Sequence, residues 1–184
     1  MWSFLFRLYL RINRFEYTAN FPKGLRKFVL IAAPHTSNFD FPLAKAAFYL
    51  MGIKVRFLAK SSLFKGFLGR LFHRWGGIPV QRDSRHNLVQ ELKTHFDSNH
   101  ELALVLAPEG TRSAVSEWKS GYYHIAKAAG VPIVCGYLDY EKRQVGIGPI
   151  IDDLNDFEKV KDTIRRFYSE VSPRIPENYN PNFI

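Results

Sequence analysis

Residues 27–52 read KFVLIAAPHTSNFDFPLAKAAFYLMG, and this stretch decides the fold class. Its first seven residues are apolar apart from Lys27, which is typical of a buried β-strand. A polar turn follows, and residues 40–51 then show a helical pattern that stops at Gly52. A strand, a turn and a helix in this order indicate the repeating unit of an α/β protein.

The same alternation continues along the chain. Further strands are predicted at 54–59, 78–81, 102–107, 131–137 and 144–147. Helices are predicted at 63–75, from 83 or 84 to about 96, at 118–129, and over an apolar stripe from Phe157 to Val171 with Asp156 or Asn155 as N-cap. In 184 residues without repeats or linkers, this predicts a single α/β domain with a largely parallel or mixed central sheet flanked by helices. Ligands of such folds gather at the carboxyl ends of strands.

The charge of the chain is positive and unevenly distributed. The formal net charge is +9, from 26 Lys and Arg against 17 Asp and Glu. Residues 41–82 hold eight basic side chains and no acidic one, whereas residues 139–184 hold more acids than bases. A basic half favours an anionic partner such as a phosphate on a lipid, a cofactor or a nucleic acid. A solvated basic surface without a partner is the alternative.

Several classes of site are disfavoured. The single cysteine, Cys135, cannot form an internal disulfide and is predicted to be a small buried apolar residue of a protein in a reducing compartment. The sequence has no Gly-x-Ser-x-Gly elbow and no Walker-type phosphate loop. Five histidines lack a zinc-ligand pattern and are predicted to be surface or packing residues, so no metal is expected: His73, His86, His95, His100 and His124.

The N-terminus, MWSFLFRLYLRINRF (residues 1–15), predicts an amphipathic helix. Its arginines at positions 7, 11 and 14 share one helical face and interrupt any membrane span. Trp2, Leu5, Tyr9 and Ile12 share another face. This pattern suits a helix lying on an anionic membrane surface. A helix packed against the domain has the same pattern, and the sequence leaves both open.

Two polar turns follow predicted strands. In the first, residues 34–40, His35 can accept a proton from an alcohol at neutral pH, and Asp40 can fix its tautomer and stabilise its charged form. An N-cap aspartate beside a surface histidine is the alternative. In the second turn, residues 108–113, Gly110 allows close backbone approach to a ligand and Arg112 offers a planar fork for a phosphate. Glu109 would hold Arg112 or a neighbouring loop, and an Arg–Glu pair bracing the turn is the alternative.

Together, PHTSNFD (residues 34–40) followed by PEGTRS (residues 108–113) resembles the lysophospholipid and glycerol-phosphate acyltransferase superfamily, especially its short 1-acylglycerol-3-phosphate acyltransferases. That family carries a His-x-x-x-x-Asp motif and a later Pro-Glu-Gly-Thr-Arg motif. Two further blocks, Lys60 to Arg82 and GVPIV at 130–134, are also similar, and the resemblance covers about residues 27–150. Departures from the pattern are Pro34, Gly66, Gln81 and the pair Cys135-Gly136, and they leave the acceptor's identity open.

The resemblance implies a role for each matching residue. His35 would be the general base and Asp40 its orienting partner. The acceptor's phosphate would bind Arg112, Lys60 and Arg82, in a pocket shaped by Glu109, Gly110 and Thr111. Residues 27–184 would then form the acyltransferase domain, and residues 1–26 an N-terminal amphipathic membrane-surface segment.

The implied reaction is fatty acyl transfer from acyl-CoA or acyl carrier protein to the hydroxyl of a lysophospholipid such as 1-acylglycerol 3-phosphate, in phospholipid biosynthesis. The thioester would be a co-substrate, with no permanently bound cofactor. The implied location is cytoplasmic, peripheral on the inner face of a membrane. The implied partners are anionic membrane lipids, the lysophospholipid acceptor and, as one of the two donors, acyl carrier protein, with no nucleic acid. A basic nucleic-acid-binding module and a non-catalytic lipid-binding relative are the alternatives.

Overall fold

The chain alternates strands and helices as the sequence predicts. The computed structural model describes residues 1–18, 21–22, 24–80 and 85–182, without the side chains of residues 68 and 85–87. Its strands are β1 (Glu16–Tyr17), β2 (Lys27–Ala33), β3 (Val55–Lys60), β4 (Gly77–Val80), β5 (Leu102–Leu106), β6 (Ile133–Asp139) and β7 (Gln144–Ile151). Its helices are α1 (Trp2–Ile12), α2 (Asp40–Leu50), α3 (Gly66–Arg74), α4 (Arg85–Ser98), α5 (Gly121–Ala129) and α6 (Phe157–Tyr168). Short 3-10 helices lie at Ser61–Phe64 and Pro176–Asn178.

The seven strands form one mixed sheet in the order β1-β7-β6-β2-β5-β3-β4. Strands β6, β2, β5, β3 and β4 are mutually parallel, β7 is antiparallel to β6, and β1 pairs with β7 in parallel. The predicted α/β fold class is confirmed. Because five strands are parallel, their carboxyl ends share one edge of the sheet, which we call the carboxyl edge.

Helices cover both faces of the sheet, which explains why β2 is apolar on both faces after Lys27 instead of alternating apolar and polar residues. Val29 and Ile31 face a core that includes buried residues of α4, α5 and α6. Phe28 and Leu30 face the opposite core, which includes Phe48 of α2. Helix α1 packs on α2, with its buried residue Leu10 in one cluster with residues of α2.

Several predicted boundaries need correction. The helix predicted at 63–75 is broken: a 3-10 helix ends at Phe64, and α3 begins at Gly66, whose φ of 67° is in the left-handed region. The helix predicted at 118–129 begins only at Gly121, and the strand predicted at 144–147 continues to Ile151. Strand β1 was not predicted. The predicted strand end at Gln81 and the predicted helix start at residue 83 or 84 lie outside the described residues.

The start of α6 is as predicted. The side chain of Asp156 accepts hydrogen bonds from the N–H groups of Glu158 and Lys159, so Asp156 is the N-cap. Tyr168 near the end of α6 is buried, and its hydroxyl lies 3.1 Å from the Ile31 carbonyl oxygen and 2.9 Å from that of Gly136. This contact joins α6 to β2 and β6, two of the strands that lead into the site.

Candidate active site

The two polar turns meet at the carboxyl edge. Strands β2 and β5 are parallel neighbours with Ile31 opposite Leu106, so both chains leave the sheet at the same level. The backbone N–H of His35 donates to Oε1 of Glu109 at 2.9 Å. Residues separated by 74 positions in the sequence therefore form one site.

His35 and Asp40 form a hydrogen-bonded pair. Nδ1 of His35 lies 3.0 Å from Oδ2 of Asp40. A carboxylate at Nδ1 holds the ring proton of the neutral imidazole on that nitrogen, which leaves Nε2 as the proton acceptor. The His35 side chain is 24% exposed and that of Asp40 only 6%. The ring is thus accessible to a substrate, while its carboxylate is shielded.

The backbone of the turn holds Asp40 in place. Its Oδ2 also accepts the N–H groups of Thr36 at 3.0 Å and Ser37 at 2.9 Å. Asp40 is the first residue of α2, and the N-cap position belongs to Phe39, which makes no side-chain capping bond. The alternative of a simple N-cap aspartate beside a surface histidine is therefore not what this turn shows.

Tyr140 supplies the remaining hydrogen bond to Asp40, and the local sequence pattern does not predict this contact. Its hydroxyl donates to Oδ1 of Asp40 at 2.7 Å, and its backbone N–H donates to the carbonyl of Ser172 at 2.9 Å. Burial and the bond to Asp40 raise the pKa of Tyr140, so the phenol keeps its proton and remains a donor. Tyr140 directly follows β6, so the rule that sites form at strand ends would have pointed to it once the strand order was known.

Glu109 is a buried carboxyl that holds the loop of His35. It is 6% exposed, and one of its two oxygens, Oε1, accepts the His35 N–H. The other oxygen, Oε2, is buried and has no hydrogen-bond partner among the described residues. Burial is the main cause that raises the pKa of Glu109. Two partners were predicted for Glu109, Arg112 or a neighbouring loop. Glu109 contacts the neighbouring loop, through His35, and not Arg112.

The second turn brings cations to the carboxyl edge. Gly110 has a φ of 66°, and a Cβ atom there would lie 2.5 Å from Nζ of Lys119, so this lysine lies against the glycine. Arg112 is exposed and forms no ion pair with the described part of the chain. Thr111 is also exposed, and its hydroxyl accepts the N–H of Ser113 at 3.4 Å. Lys119 was missed because it lies outside the Pro-Glu-Gly-Thr-Arg pattern.

Lys60 and Arg82 were predicted beside Arg112. Lys60 is exposed and is the last residue of β3, the strand next to β5, so it stands at the same edge as the second turn. Arg82 lies outside the described residues. Among the described residues, Lys60, Arg112 and Lys119 thus bring positive charge to this part of the edge.

The C-terminal segment packs against the turn that carries His35 and Asp40. The Arg174 guanidinium lies 4.0 Å from the centre of the Phe39 ring, and its Nη1 lies 3.4 Å from Oγ of Ser37. The N–H of Ile175 donates to Oγ1 of Thr36 at 3.2 Å. Beside this segment is an open cavity of about 670 Å³, lined among others by Phe15, Phe39, Leu43, Tyr140, Arg143 and Arg174.

The sequence predicts no metal site, and the side chains that would form one are His, Cys, Asp and Glu. In the described ranges, no three of these side chains form a group that could hold a metal ion. Cys135 is fully buried, and burial raises the pKa of its thiol to about 12, which keeps the sulfur in its unreactive protonated form.

Known proteins that resemble this chain in sequence are acyltransferases. A 1-acyl-sn-glycerol-3-phosphate acyltransferase of Escherichia coli (strain K12) is 32% identical over 108 residues, which cover 55% of this chain and 43% of that protein. A protein of the same name from Haemophilus influenzae is 29% identical over 106 residues, covering 54% of this chain and 43% of the relative. The matched region thus spans less than half the length of these relatives.

A solved structure shows the same fold. The crystal structure of the 1-acyl-sn-glycerophosphate (LPA) acyltransferase PlsC from Thermotoga maritima superposes with a TM-score of 0.61, covering 94% of this chain and 79% of that one. Sequence identity is 19%, so the likeness is one of fold. The sequence pattern of the acyltransferase family matches residues 14–138. Since these residues are more than half of the chain and include both turns of the site, this chain belongs to the acyltransferase family.

Proposed function

We propose that this protein is an O-acyltransferase that moves a fatty acyl group from a thioester to the hydroxyl of a lysophospholipid such as 1-acylglycerol 3-phosphate, in phospholipid biosynthesis. The observation that carries the proposal is the His35–Asp40 pair with its Nδ1–Oδ2 contact of 3.0 Å at the carboxyl edge. The names of the relatives support the choice of acceptor.

His35 acts as the general base. Its Nε2 takes the proton of the acceptor hydroxyl while the oxygen attacks the carbonyl carbon of the thioester. The carbon–sulfur bond breaks, and the proton passes to the departing thiolate. Asp40 stabilises the imidazolium that forms in between. General-base assistance of this kind contributes about 10²- to 10⁴-fold, and the positioning of both substrates supplies much of the rest.

The acceptor's phosphate binds the cations beside the second turn. Arg112 supplies a fork of donors and Lys60 a point charge at the neighbouring strand end, and neither is tied up by an ion pair with a described residue. Arg82 joins them by resemblance, and Lys119 joins them by its position against Gly110. The thioester donor, acyl-CoA or acyl carrier protein, is a co-substrate and needs no permanently bound cofactor.

The enzyme works from the cytoplasmic inner face of a membrane, as a peripheral protein on anionic lipids. Within the described residues, no helix has the length and apolar character needed to cross a bilayer. Helix α1 offers a surface contact instead, since Trp2, Phe4, Leu5, Leu8 and Ile12 are exposed. No nucleic-acid partner is proposed, because binding to nucleic acid gives no reason for a shielded Asp40 beside His35.

The test is acyl transfer by the purified full chain. Labelled acyl-CoA and acyl-acyl carrier protein are each offered with a panel of lysophospholipids and glycerol 3-phosphate, and products are identified by mass spectrometry. We expect transfer to a phosphate-bearing acceptor and its near-complete loss in a folded His35→Ala variant. Absence of transfer by the folded wild-type chain would support a non-catalytic lipid-binding relative. Wild-type rates in His35→Ala would instead reject His35 as the base.

A further inference from the structure

The exposed apolar side chains are concentrated in the first part of the chain. All large hydrophobic residues that are exposed in the described structure fall within residues 1–75: Met1, Trp2, Phe4, Leu5, Leu8, Ile12, Phe39, Phe41, Tyr49, Leu63, Phe67 and Trp75. Helices α4, α5 and α6, on the other face of the sheet, contribute none through their described side chains. Such a concentration marks a contact surface, because exposed patches of this kind are uncommon on monomeric soluble proteins.

Only part of this surface belongs to α1. A second part is the 3-10 helix Ser61–Phe64 together with α3, which we call the β3–β4 connection. Its inner side chains pack on the domain and on each other: the centre of the Phe72 ring lies 6.5 Å from that of Phe57 in β3, and 5.8 Å from that of Phe64 within the connection. Its outer side chains do not, since Phe67 is 81% exposed and Leu63 46%. The connection is thus amphipathic, with an apolar outer stripe that no described residue covers.

Both parts lie on the same side of the molecule. Helix α1 contacts α2 through Phe6 and Tyr49, whose ring centres are 4.8 Å apart. Trp75, which directly follows the connection, contacts α2: its ring centre is 6.3 Å from that of Phe41, and Nζ of Lys45 donates to its carbonyl at 3.0 Å. Helix α2 therefore lies between the two apolar stripes, with exposed Phe39 and Phe41 at its start beside His35.

The charges identify the partner. Residues 1–75 hold thirteen Lys and Arg side chains and two acidic ones, Glu16 and the buried Asp40. In residues 76–184 the balance is reversed, with thirteen basic and fifteen acidic side chains. In the connection itself, Lys65, Arg70 and Arg74 are exposed and no acidic residue is present. Apolar side chains among cations without anions match a bilayer with anionic headgroups.

We propose that the β3–β4 connection is a second membrane contact, which inserts Leu63 and Phe67 into the same anionic bilayer that α1 touches. This rests on the proposed function, a reaction on a membrane lipid. Two contacts on opposite sides of α2 fix the orientation of the domain and bring the turn of His35 to the lipid surface. Lys60 directly precedes the connection, so a lipid phosphate reaches it without leaving the headgroup layer.

The first test is vesicle co-sedimentation of the Leu63→Ser/Phe67→Ser double variant, with phosphatidylcholine vesicles that contain phosphatidylglycerol or lack it. We expect the apparent affinity for anionic vesicles to fall by about tenfold or more, because two buried apolar side chains are lost from the contact. The matched control, Leu63→Ile/Phe67→Leu, keeps apolar side chains and should bind like the wild type. Activity on a short-chain, water-soluble acceptor should be unchanged in both, since neither residue touches the site.

The second test stays informative if the double-serine variant does not fold. In a Trp2→Phe variant, the remaining tryptophans are exposed Trp75 and buried Trp118. Anionic vesicles with brominated acyl chains should quench Trp75, whereas vesicles of brominated phosphatidylcholine alone should not. Wild-type vesicle affinity in the folded double-serine variant, or no quenching in the Trp2→Phe variant, would overturn the proposal and leave a protein as the partner of this surface. Vesicle binding through Leu63 and Phe67 without acyl transfer would overturn the proposed function alone.

Discussion

At the scale of single residues, the site is organised around the carboxylate of Asp40. It accepts four hydrogen bonds, from the His35 ring, the N–H groups of Thr36 and Ser37, and the Tyr140 hydroxyl. Three of these come from its own turn, and the fourth comes from Tyr140, which directly follows β6. The orientation of the His35 ring therefore depends mostly on local structure, and Tyr140 links that structure to β6 and the C-terminal segment.

This arrangement predicts the effect of Tyr140→Phe. The change removes one hydrogen bond to a charged group, which contributes about 1.5 kcal/mol, so we expect kcat to fall about tenfold with KM for both substrates unchanged. Asp40→Asn should cost more, because it removes the charge that stabilises the imidazolium. Steady-state kinetics of the two variants and of their combination measure the coupling. A full additional tenfold loss when Tyr140→Phe is added to Asp40→Asn would show that Tyr140 does not act through Asp40.

Glu109 makes a prediction about stability and pH. Burial raises the pKa of Glu109 in the folded protein, so its ionised form is disfavoured there. The contribution of this group to folding stability therefore falls as pH rises from the unfolded-state pKa of about 4.3 towards neutrality. Glu109→Gln keeps an acceptor for the His35 N–H and removes the charge. We expect a higher Tm than wild type at neutral pH and a difference that vanishes towards pH of about 4.

Thermal unfolding of both proteins across this pH range is the measurement. Glu109→Ala serves as the comparison, because it removes both the charge and the acceptor and should lower Tm at every pH. A Glu109→Gln protein that is less stable than wild type at neutral pH would mean that the ionised carboxylate has a favourable partner in the folded protein.

At the scale of elements, the sequence predicted best where the pattern is local and strongly apolar. Strand β2 was predicted with the bounds it has, and α2 differs from its prediction by one residue. The helix predicted at 63–75 was wrong because Lys65 is extended and Gly66 has a positive φ, a backbone break that apolar spacing does not reveal. Tyr140 was missed because its contact with Asp40 spans 100 residues and depends on strand order.

The turn after β5 carries the prediction for acceptor binding. Arg112 presents a guanidinium fork, and Arg112→Lys keeps the charge but loses the paired donors. We expect KM for the phosphate-bearing acceptor to rise about tenfold, equivalent to one charge-assisted hydrogen bond, with KM for the thioester donor unchanged. Kinetics with each substrate varied in turn distinguish the two. Should only the donor's KM change, Arg112 would belong to the site of the thioester carrier.

At the scale of the whole molecule, the sheet separates two surfaces of different composition. The face covered by α4, α5 and α6 is free of exposed large hydrophobics in its described side chains, whereas the face with α1 and α2 displays them among basic residues. Helix α1 packs against the domain on one face, as one of its two sequence-based interpretations predicts, and its contact with a membrane stays a prediction. Leu10 is buried and Phe6 and Tyr9 are half-buried against the domain, while Trp2, Phe4, Leu5, Leu8 and Ile12 point away from it.

This division leads to a prediction for α1. Trp2 and Phe4 are 59% and 68% exposed, and Leu5 is 44% exposed, so all three can change without loss of core packing. Arg7, Arg11 and Arg14 are exposed on the same helix and its end, and each basic residue near an anionic surface contributes about 1 kcal/mol. We expect the wild type to co-sediment with anionic vesicles, to bind neutral vesicles poorly, and to lose affinity as salt concentration rises.

Changing Trp2, Phe4 and Leu5 together to Ser should abolish most of this binding while activity on a short-chain, water-soluble acceptor persists, because the His35 turn lies at another place in the fold. A Trp2→Phe, Phe4→Leu, Leu5→Ile variant is the matched control and should retain binding. A nucleic-acid-binding module would adhere to anionic vesicles through charge alone and would not need these apolar side chains. Unchanged vesicle binding in the triple-serine variant would therefore reject α1 as an inserted contact and leave electrostatic attraction as the explanation.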